Sequence, residues 1–288
     1  MQDLIRDFIN SLNRRQTTKD TYRKALLEFS KWLGNKSPIG LTPNDIQRYK
    51  DFIISKDLST SSVSAYLTAV RRLYDYLENQ GKISENPAKK IKGGARPKRH
   101  STKTISNPDL NKLFDSIDIS TSLGLRDSLI FNLMLRCGLS EIELVRANVE
   151  DIKRKNDKTV IYVQGKNKDA KNEYVVVPEP VVKEIDEYLS QRESSKPAEP
   201  LFWGEGNRAI RVRITTRAIR ARISYYFEKL GLNKKGITPY SLRHTAAILA
   251  IESGASVSEV MQMLRVKTVD TALVYFEEAK ELKQTNRS

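Results

Sequence analysis

Residues 86–103 let no regular element cross them, and this divides the chain before any helix is assigned. Asn86–Pro87 disfavours helix at its first residue, and Gly93–Gly94 and Pro97 interrupt the stretch up to Lys103. From Lys89 to Lys103 stand seven basic side chains (Lys89, Lys90, Lys92, Arg96, Lys98, Arg99 and Lys103) and no acid. Like charges extend such a stretch. The 288 residues therefore resolve into a unit of residues 1–88, a basic linker 89–103 and a larger unit 104–288, as expected of a length beyond one comfortable core.

In the first unit the apolar spacing is helical throughout. Leu4, Phe8 and Leu12 mark one helix. A second, capped at Thr18, carries Tyr22, Leu26, Phe29 and Leu33 inward and ends at Gly34. Thr42, Pro43 and Asp45 open a third with Ile46, Tyr49, Phe52 and Ile53 on one side. A fourth starts near Ser59 and buries Val63, Leu67, Val70, Tyr74 and Leu77. Its other side shows Ser61, Ser64, Thr68, Arg71 and Arg72, small hydroxyls and arginines that suit phosphate contact or an ordinary solvated face.

The larger unit is mixed. Asn107–Pro108 begins a helix through Phe114, and Leu125 to Cys137 reads as a buried helix. Thr159–Val163 and Tyr174–Val177 are β-branched and aromatic strand runs around a polar hairpin tip holding Lys166, Lys168 and Lys171. Helices come next at 181–192 and 216–230, from Thr238–Pro239 to Gly254, and after a capping box of Ser256 and Glu259. The fold class is mostly α with a small antiparallel sheet (α+β).

Fifty basic residues against 35 acidic ones give a net charge of +15, which favours a polyanionic partner, and nucleic acid, double-stranded DNA included, is the commonest. The basic linker then suits a clamp closing around a duplex. Lys92, Arg96, Lys98 and Arg99 in the linker, Lys168 on the hairpin, and Arg217 and Arg220 in the run from Arg208 to Arg222 are the further DNA-contact candidates. One cysteine and two histidines speak against a disulfide framework or a His-rich metal site, so no metal and no cofactor is expected. Nothing approaches a membrane span, and the acidic start MQDLIRD lacks the apolar run of a signal peptide. The reading is a cytoplasmic, nucleoid-associated protein.

The chemistry concentrates in the last fifty residues. On the helix begun at Pro239, Tyr240, Arg243 and His244 fall at i, i+3 and i+4 and share a face. An arginine near a helix N-terminus grips phosphate oxygens well. Tyr275 lies some thirty residues on, outside any clear apolar stripe. Taken together these residues resemble the tyrosine recombinases, the phage-type integrases of the Xer kind. That family carries His-x-x-Arg-His at a helix start, a Leu-Gly-His turn, and a nucleophilic tyrosine nine residues beyond it. Tyr240-Ser-Leu-Arg243-His244 is similar to the first, Leu264-Arg265-Val266 stands at the second, and Tyr275 is nine residues past Val266. Gly138-Leu139-Ser140-Glu141-Ile142-Glu143-Leu144 resembles the family's Gly-Leu-Arg-x-x-Glu-Leu box, and Gly165-Lys166-Asn167-Lys168 its hairpin lysine.

The resemblance implies a helical core-binding domain ahead of a catalytic domain, and site-specific strand exchange through a 3′-phosphotyrosyl intermediate. It makes Tyr275 the nucleophile, Arg243 a ligand of the non-bridging oxygens, Lys166 the general acid and His244 a buttress. It also implies a dimer on each site, a tetramer in the synapse, and a tail that docks on the adjacent protomer. Three positions depart from the family. Ser140 replaces its first arginine, Tyr240 its first histidine and Val266 the residue before the nucleophile. Each lost contact to the transition state costs about a hundred- to a thousandfold in rate. Arg136, which shares a face with position 140 if one helix spans both, and Arg146 are the candidate replacements. An engineered change at 140 alone explains too little, because three positions differ. An accessory or partner recombinase is a further source of the missing contacts. A weak or inactive DNA-binding or architectural protein on the same scaffold is the alternative reading, with a type IB topoisomerase-like enzyme as a third.

Overall fold

The computed structural model describes residues 1–94, 102–166, 168–204 and 212–285. The chain divides into two compact units, Met1–Pro97 and Lys98–Ser288.

The first unit packs α1 (Gln2–Ser11), α2 (Gln16–Leu33), α3 (Pro43–Ser55) and α4 (Thr60–Asn79) around Phe8, Leu26, Phe29, Tyr49, Ile53, Leu67 and Tyr74. Helix α3 starts where the sequence places it, with Thr42 and Asp45 capping each other reciprocally. Two details differ from expectation. Helix α2 begins at Gln16, ahead of Thr18 and without a side-chain cap. The buried face of α1 is Ile5, Phe8 and Ile9, while Leu4 and Leu12 are only partly covered. Residues 86–94 lie against α4. Arg71 donates to the carbonyls of Ala88 (3.3 Å) and Ile91 (2.6 Å), Asn86 donates to Arg71 O and Asp75, and a Cβ on Gly93 would meet the Ser64 hydroxyl.

The second unit opens with α5 (Asn107–Asp115) and α6 (Ser122–Arg136), the latter buried on nearly every side. Its Arg136 is followed by a sharp turn, with Gly138 at φ +60°, before a short helix α7 (Glu141–Arg146). A three-stranded antiparallel sheet comes next in the order β1 (Ile152–Lys155), β2 (Lys158–Val163), β3 (Glu173–Val176), with Ile152 opposite Ile161 and Ile161 opposite Val175. Strand β1 has no counterpart among the sequence-predicted strands. Helices α8 (Glu179–Ser190), α9 (Thr216–Lys229), α10 (Tyr240–Glu252), α11 (Val257–Leu264) and α12 (Val269–Thr285) complete the unit. Its main core gathers Leu129, Phe131, Leu133, Ile161, Phe202 and Phe227. A smaller cluster, Ala247, Ile248, Val260, Leu264, Tyr275 and Ala279, fixes α12 on α10 and α11. The segment after Tyr275, expected from the family to leave its own domain, therefore continues α12 and packs within this unit. Among the described residues no helix is long and apolar enough to cross a membrane.

Candidate active site around Tyr275

The site is built where the turn after α6, the start of α10 and the turn between α11 and α12 converge on one carboxylate. Glu143, at the third position of α7, closes a capping box with Ser140, whose backbone N–H and hydroxyl both donate to it at 2.7 Å. The same carboxylate receives Arg243 from α10 at 3.1 Å, and Arg265 bidentately through Nε and Nη2 at 2.5 and 2.6 Å. Glu143 is 3% exposed. Burial alone would raise its carboxyl pKa, but the hydrogen bond and charge of Arg265, the charge of Arg243 and the Ser140 N–H outweigh it and hold the group below its ordinary value.

Both guanidinia also donate to the carbonyl of Gly138, Arg243 through Nη1 and Arg265 through Nη2 at 2.8 Å, and Arg243 reaches Leu264 O as well. Gly138 must be glycine here. Its φ is +60°, and a Cβ would stand 3.2 Å from Met263 Cγ. Arg265 occupies the other left-handed position, φ 52° and ψ 38°, at the C-terminal cap of α11, where glycine is usual. Its side chain turns inward and is 5% exposed, against 12% for Arg243. Burial and the neighbouring positive charge of Arg265 lower the pKa of Arg243.

Tyr275 lies beside this cluster on α12 and is 2% exposed. Its ring centroid is 5.1 Å from that of His244, which is hydrogen-bonded through Nε2 to Glu278 one turn further along α12 (2.8 Å). The Tyr275 hydroxyl shares a hydrogen bond with Tyr240, the first residue of α10. Burial, then the charge and hydrogen bond of Tyr240, raise the Tyr275 pKa, while Arg243 pulls it down. Tyr240, Arg243 and His244 thus all face Tyr275, with Tyr240, 42% exposed, at the rim.

The other candidates lie elsewhere. Arg136 is exposed and donates to Asn132, because α6 ends before it can share a face with Ser140. Arg146 donates to the carbonyls of Gln164 and Gly165 and so holds the base of the β2–β3 hairpin. Lys166 is exposed on that hairpin, Lys168 pairs with Glu173, and Lys171 with Asp151. On α4, Ser61 and Arg72 are exposed, Arg72 beside Asp75, whereas Ser64, Thr68 and Arg71 are partly covered. Lys92 and Arg217 are exposed or partly so, and Arg220, mostly exposed, pairs with Glu141. Arg213 and Arg222 are engaged by Val145, Ala147, Asn148 and Asp127. Arg96, Lys98, Arg99, His100, Arg208 and Arg211 lie outside the described residues. Sequence reasoning missed Arg265, although an arginine in a turn that usually needs glycine was a visible signal. Among the described residues no group of three His, Cys, Asp or Glu side chains is placed to hold a metal.

The phage integrase family matches residues 103–281, and its N-terminal SAM-like domain matches residues 2–81. The chain is 27% identical over 286 residues to the tyrosine recombinase XerD of Lacticaseibacillus casei, covering 96% of this chain and 94% of that protein. In fold it is similar to the site-specific recombinase XerH bound to a palindromic difH substrate in a post-cleavage complex, with a TM-score of 0.74, 18% identity and coverage of 100% and 89%. It is likewise similar to a lambda integrase dimer bound to a core site, with a TM-score of 0.73, 14% identity and coverage of 96% and 94%. Matched over both its units, and with its tyrosine, arginine and turn in the family's order, the chain belongs to the phage integrase family, the tyrosine recombinases.

Proposed function

We propose that this recombinase cuts and rejoins duplex DNA at a specific site through Tyr275. The phenol gives up its proton to solvent as its oxygen attacks a backbone phosphorus, and the bond to the 5′-oxygen breaks with its electron pair. That oxygen takes a proton from Lys166, leaving a 3′-phosphotyrosyl bond and a free 5′-hydroxyl. The 5′-hydroxyl of a partner strand then attacks the same phosphorus and expels the Tyr275 oxygen, which regains a proton. One phosphoester replaces another at each step, so the exchange consumes no net bond energy.

The observation that carries this reading is the enclosure of the Tyr275 hydroxyl among Tyr240, Arg243 and His244. A buried guanidinium beside a phenol stabilises both the phenolate and the extra negative charge of a pentavalent phosphorane, and it does so more strongly than in water. Tyr240 supplies a hydroxyl where an imidazole is usual. The working assembly is a dimer on each site and a tetramer in the synapse, with an accessory or partner recombinase where the biology requires one. The protein acts in the cytoplasm at the nucleoid.

The test is covalent trapping. Duplexes tiled from the DNA flanking the gene, each nicked so that cleavage cannot reverse, are incubated with wild type and Tyr275→Phe. A denaturant-resistant protein–DNA band in the wild type alone is the expected result. Site-specific retention without any such band, on duplexes shown to contain the site, refutes the reading.

A further inference from the structure

Two guanidinia share one buried carboxylate, and one of them, Arg243, borders Tyr275. Arg243 and Arg265 both contact Glu143 and both donate to Gly138 O. The cluster is therefore one positive charge in excess, in a place where an uncompensated charge is costly to desolvate. An arrangement of this kind is completed by an anion.

The backbone at Arg265 points the same way. A left-handed residue at a helix C-terminus is cheapest as glycine, so the local conformation gives no reason for an arginine. What distinguishes Arg265 is its side chain, which folds into the site. The donors can be accounted for. Arg265 directs Nε to Glu143, Nη2 to Glu143 and Gly138 O, and Nη1 to Met263 O, which leaves one of its five N–H groups. Arg243 directs Nη1 to Gly138 O and Glu143 and Nη2 to Leu264 O, which leaves two. These remaining N–H groups, counted among the described residues, belong to two guanidinia held together by common acceptors. Arg265 also lines an open cleft of about 340 Å³ with Val266 and Lys267 on one side and Asn172, Glu173 and Tyr174 of the hairpin on the other. That hairpin carries Lys166. A phosphate entering the cleft meets Arg265.

We propose that Arg265 is the second phosphate-binding arginine of this enzyme, gripping a non-bridging oxygen of the scissile phosphate beside Arg243. It supplies from the α11–α12 turn the cation that Ser140 cannot, while Ser140 serves as the cap that orients Glu143. The inference rests on the recombinase reading above.

The experiment uses the full chain and the nicked duplex that traps the wild type, made with either an ordinary phosphodiester or a neutral methylphosphonate at the scissile position. On the phosphodiester, Arg265→Ala is expected to slow covalent-complex formation by about a hundred- to a thousandfold while leaving the fold intact by circular dichroism. On the methylphosphonate the negative charge that needs the arginine is gone, so Arg265→Ala should come within about tenfold of wild type on that duplex. A merely structural role would slow both substrates alike. Moving the cation back, in the double variant Ser140→Arg/Arg265→Gly, should recover at least about a tenth of wild-type rate. If Arg265→Ala does not fold, Arg265→Lys carries the test, since it keeps the charge and loses the fork. It should be impaired on the phosphodiester and recover on the methylphosphonate. A folded Arg265→Ala within about threefold of wild type on the phosphodiester, or equal loss on both duplexes, overturns the assignment. A wild type that forms no covalent complex on a duplex it demonstrably binds overturns the recombinase reading, and this inference with it.

Discussion

Replacing Glu143 with glutamine is the sharpest test of how the site holds itself together. The change keeps the shape of the side chain and removes its charge. In the native site two oxygens accept five donors, two from Ser140, one from Arg243 and two from Arg265. Glutamine offers one oxygen and sets an NH₂ group against donors. Removing one partner of a buried ion pair costs about 3–5 kcal/mol because the other charge is left uncompensated. Here two cations are left, 5% and 12% exposed, so the expected loss is at least about 4 kcal/mol. For a unit spanning Lys98–Ser288, that lowers the melting temperature by about 8–16 °C.

The pH dependence separates this account from a simple packing defect. The Glu143 carboxyl is held below its ordinary value of 4.5 in the folded protein. A group whose folded pKa is depressed contributes stability that is fully present above the unfolded pKa and is lost as pH falls through the folded one. The wild type therefore loses the Glu143 contribution on acidification below about pH 4.5, whereas Glu143→Gln has no such group to protonate. Urea denaturation followed by circular dichroism should show a gap between the two proteins that is flat near neutrality and narrows in acid. A variant within about 1 kcal/mol of wild type near pH 7, or a gap that stays constant into acid, refutes the reasoning.

Gly138→Ala forces a side chain into a left-handed residue against Met263; it should cost about 2 kcal/mol by denaturant melt and also slow covalent trapping by displacing the shared carbonyl. Arg71→Ala releases the carbonyls of Ala88 and Ile91, hydrogen bonds to a charged group worth about 1.5–3 kcal/mol, so trypsin should cut at Lys89, Lys90 and Lys92 at least about tenfold faster. Tyr275, its pKa raised above the ordinary 10.0 by burial and Tyr240, should give no phenolate absorbance below that pH when wild type is compared with Tyr275→Phe. This phenol's contribution to stability is present below the unfolded pKa and lost as pH rises through the folded one. Glu278→Gln weakens the contact with His244 and should speed amide exchange along α12 by about tenfold, with little change in α6.

The helices were legible because their apolar spacing and caps agree. Thr42 with Asp45 and Ser256 with Glu259 form the capping boxes that the residue types announce. Strand β1 was not legible, since Lys153, Arg154 and Lys155 are all exposed and give no alternation to read. The break between α6 and α7 depends on one glycine at positive φ, and it decides where Arg136 points. Charge is legible only as a total. The basic run from Arg208 to Arg222 mixes roles, for Arg213 and Arg222 within it satisfy buried carbonyls and Asp127. A sequence gives the count of cations but not which acceptors the fold leaves without water. Arg265 is the extreme case, because its function depends on a carboxylate 122 residues away.

The enclosure of Tyr275 sets a further condition on catalysis. Tyr275 is 2% exposed, so in the mechanism proposed above a phosphate reaches its side chain only where the groups around it give way. The restraint on α12 is modest. Besides Tyr275, its buried residues among those described are the alanines Ala272 and Ala279, and an alanine removes little apolar area from water. The larger restraints are the Tyr275 ring itself, its hydrogen bond to Tyr240, and the His244–Glu278 contact. The first two involve the groups to which the proposed mechanism assigns the reaction. In that mechanism a phosphate arriving at Arg243 competes for the Tyr275 hydroxyl and offers it a new partner, so substrate entry and release of the proposed nucleophile draw on the same interactions. Tyr240, at the exposed rim, is the member of the cluster that an arriving phosphate in that mechanism meets first.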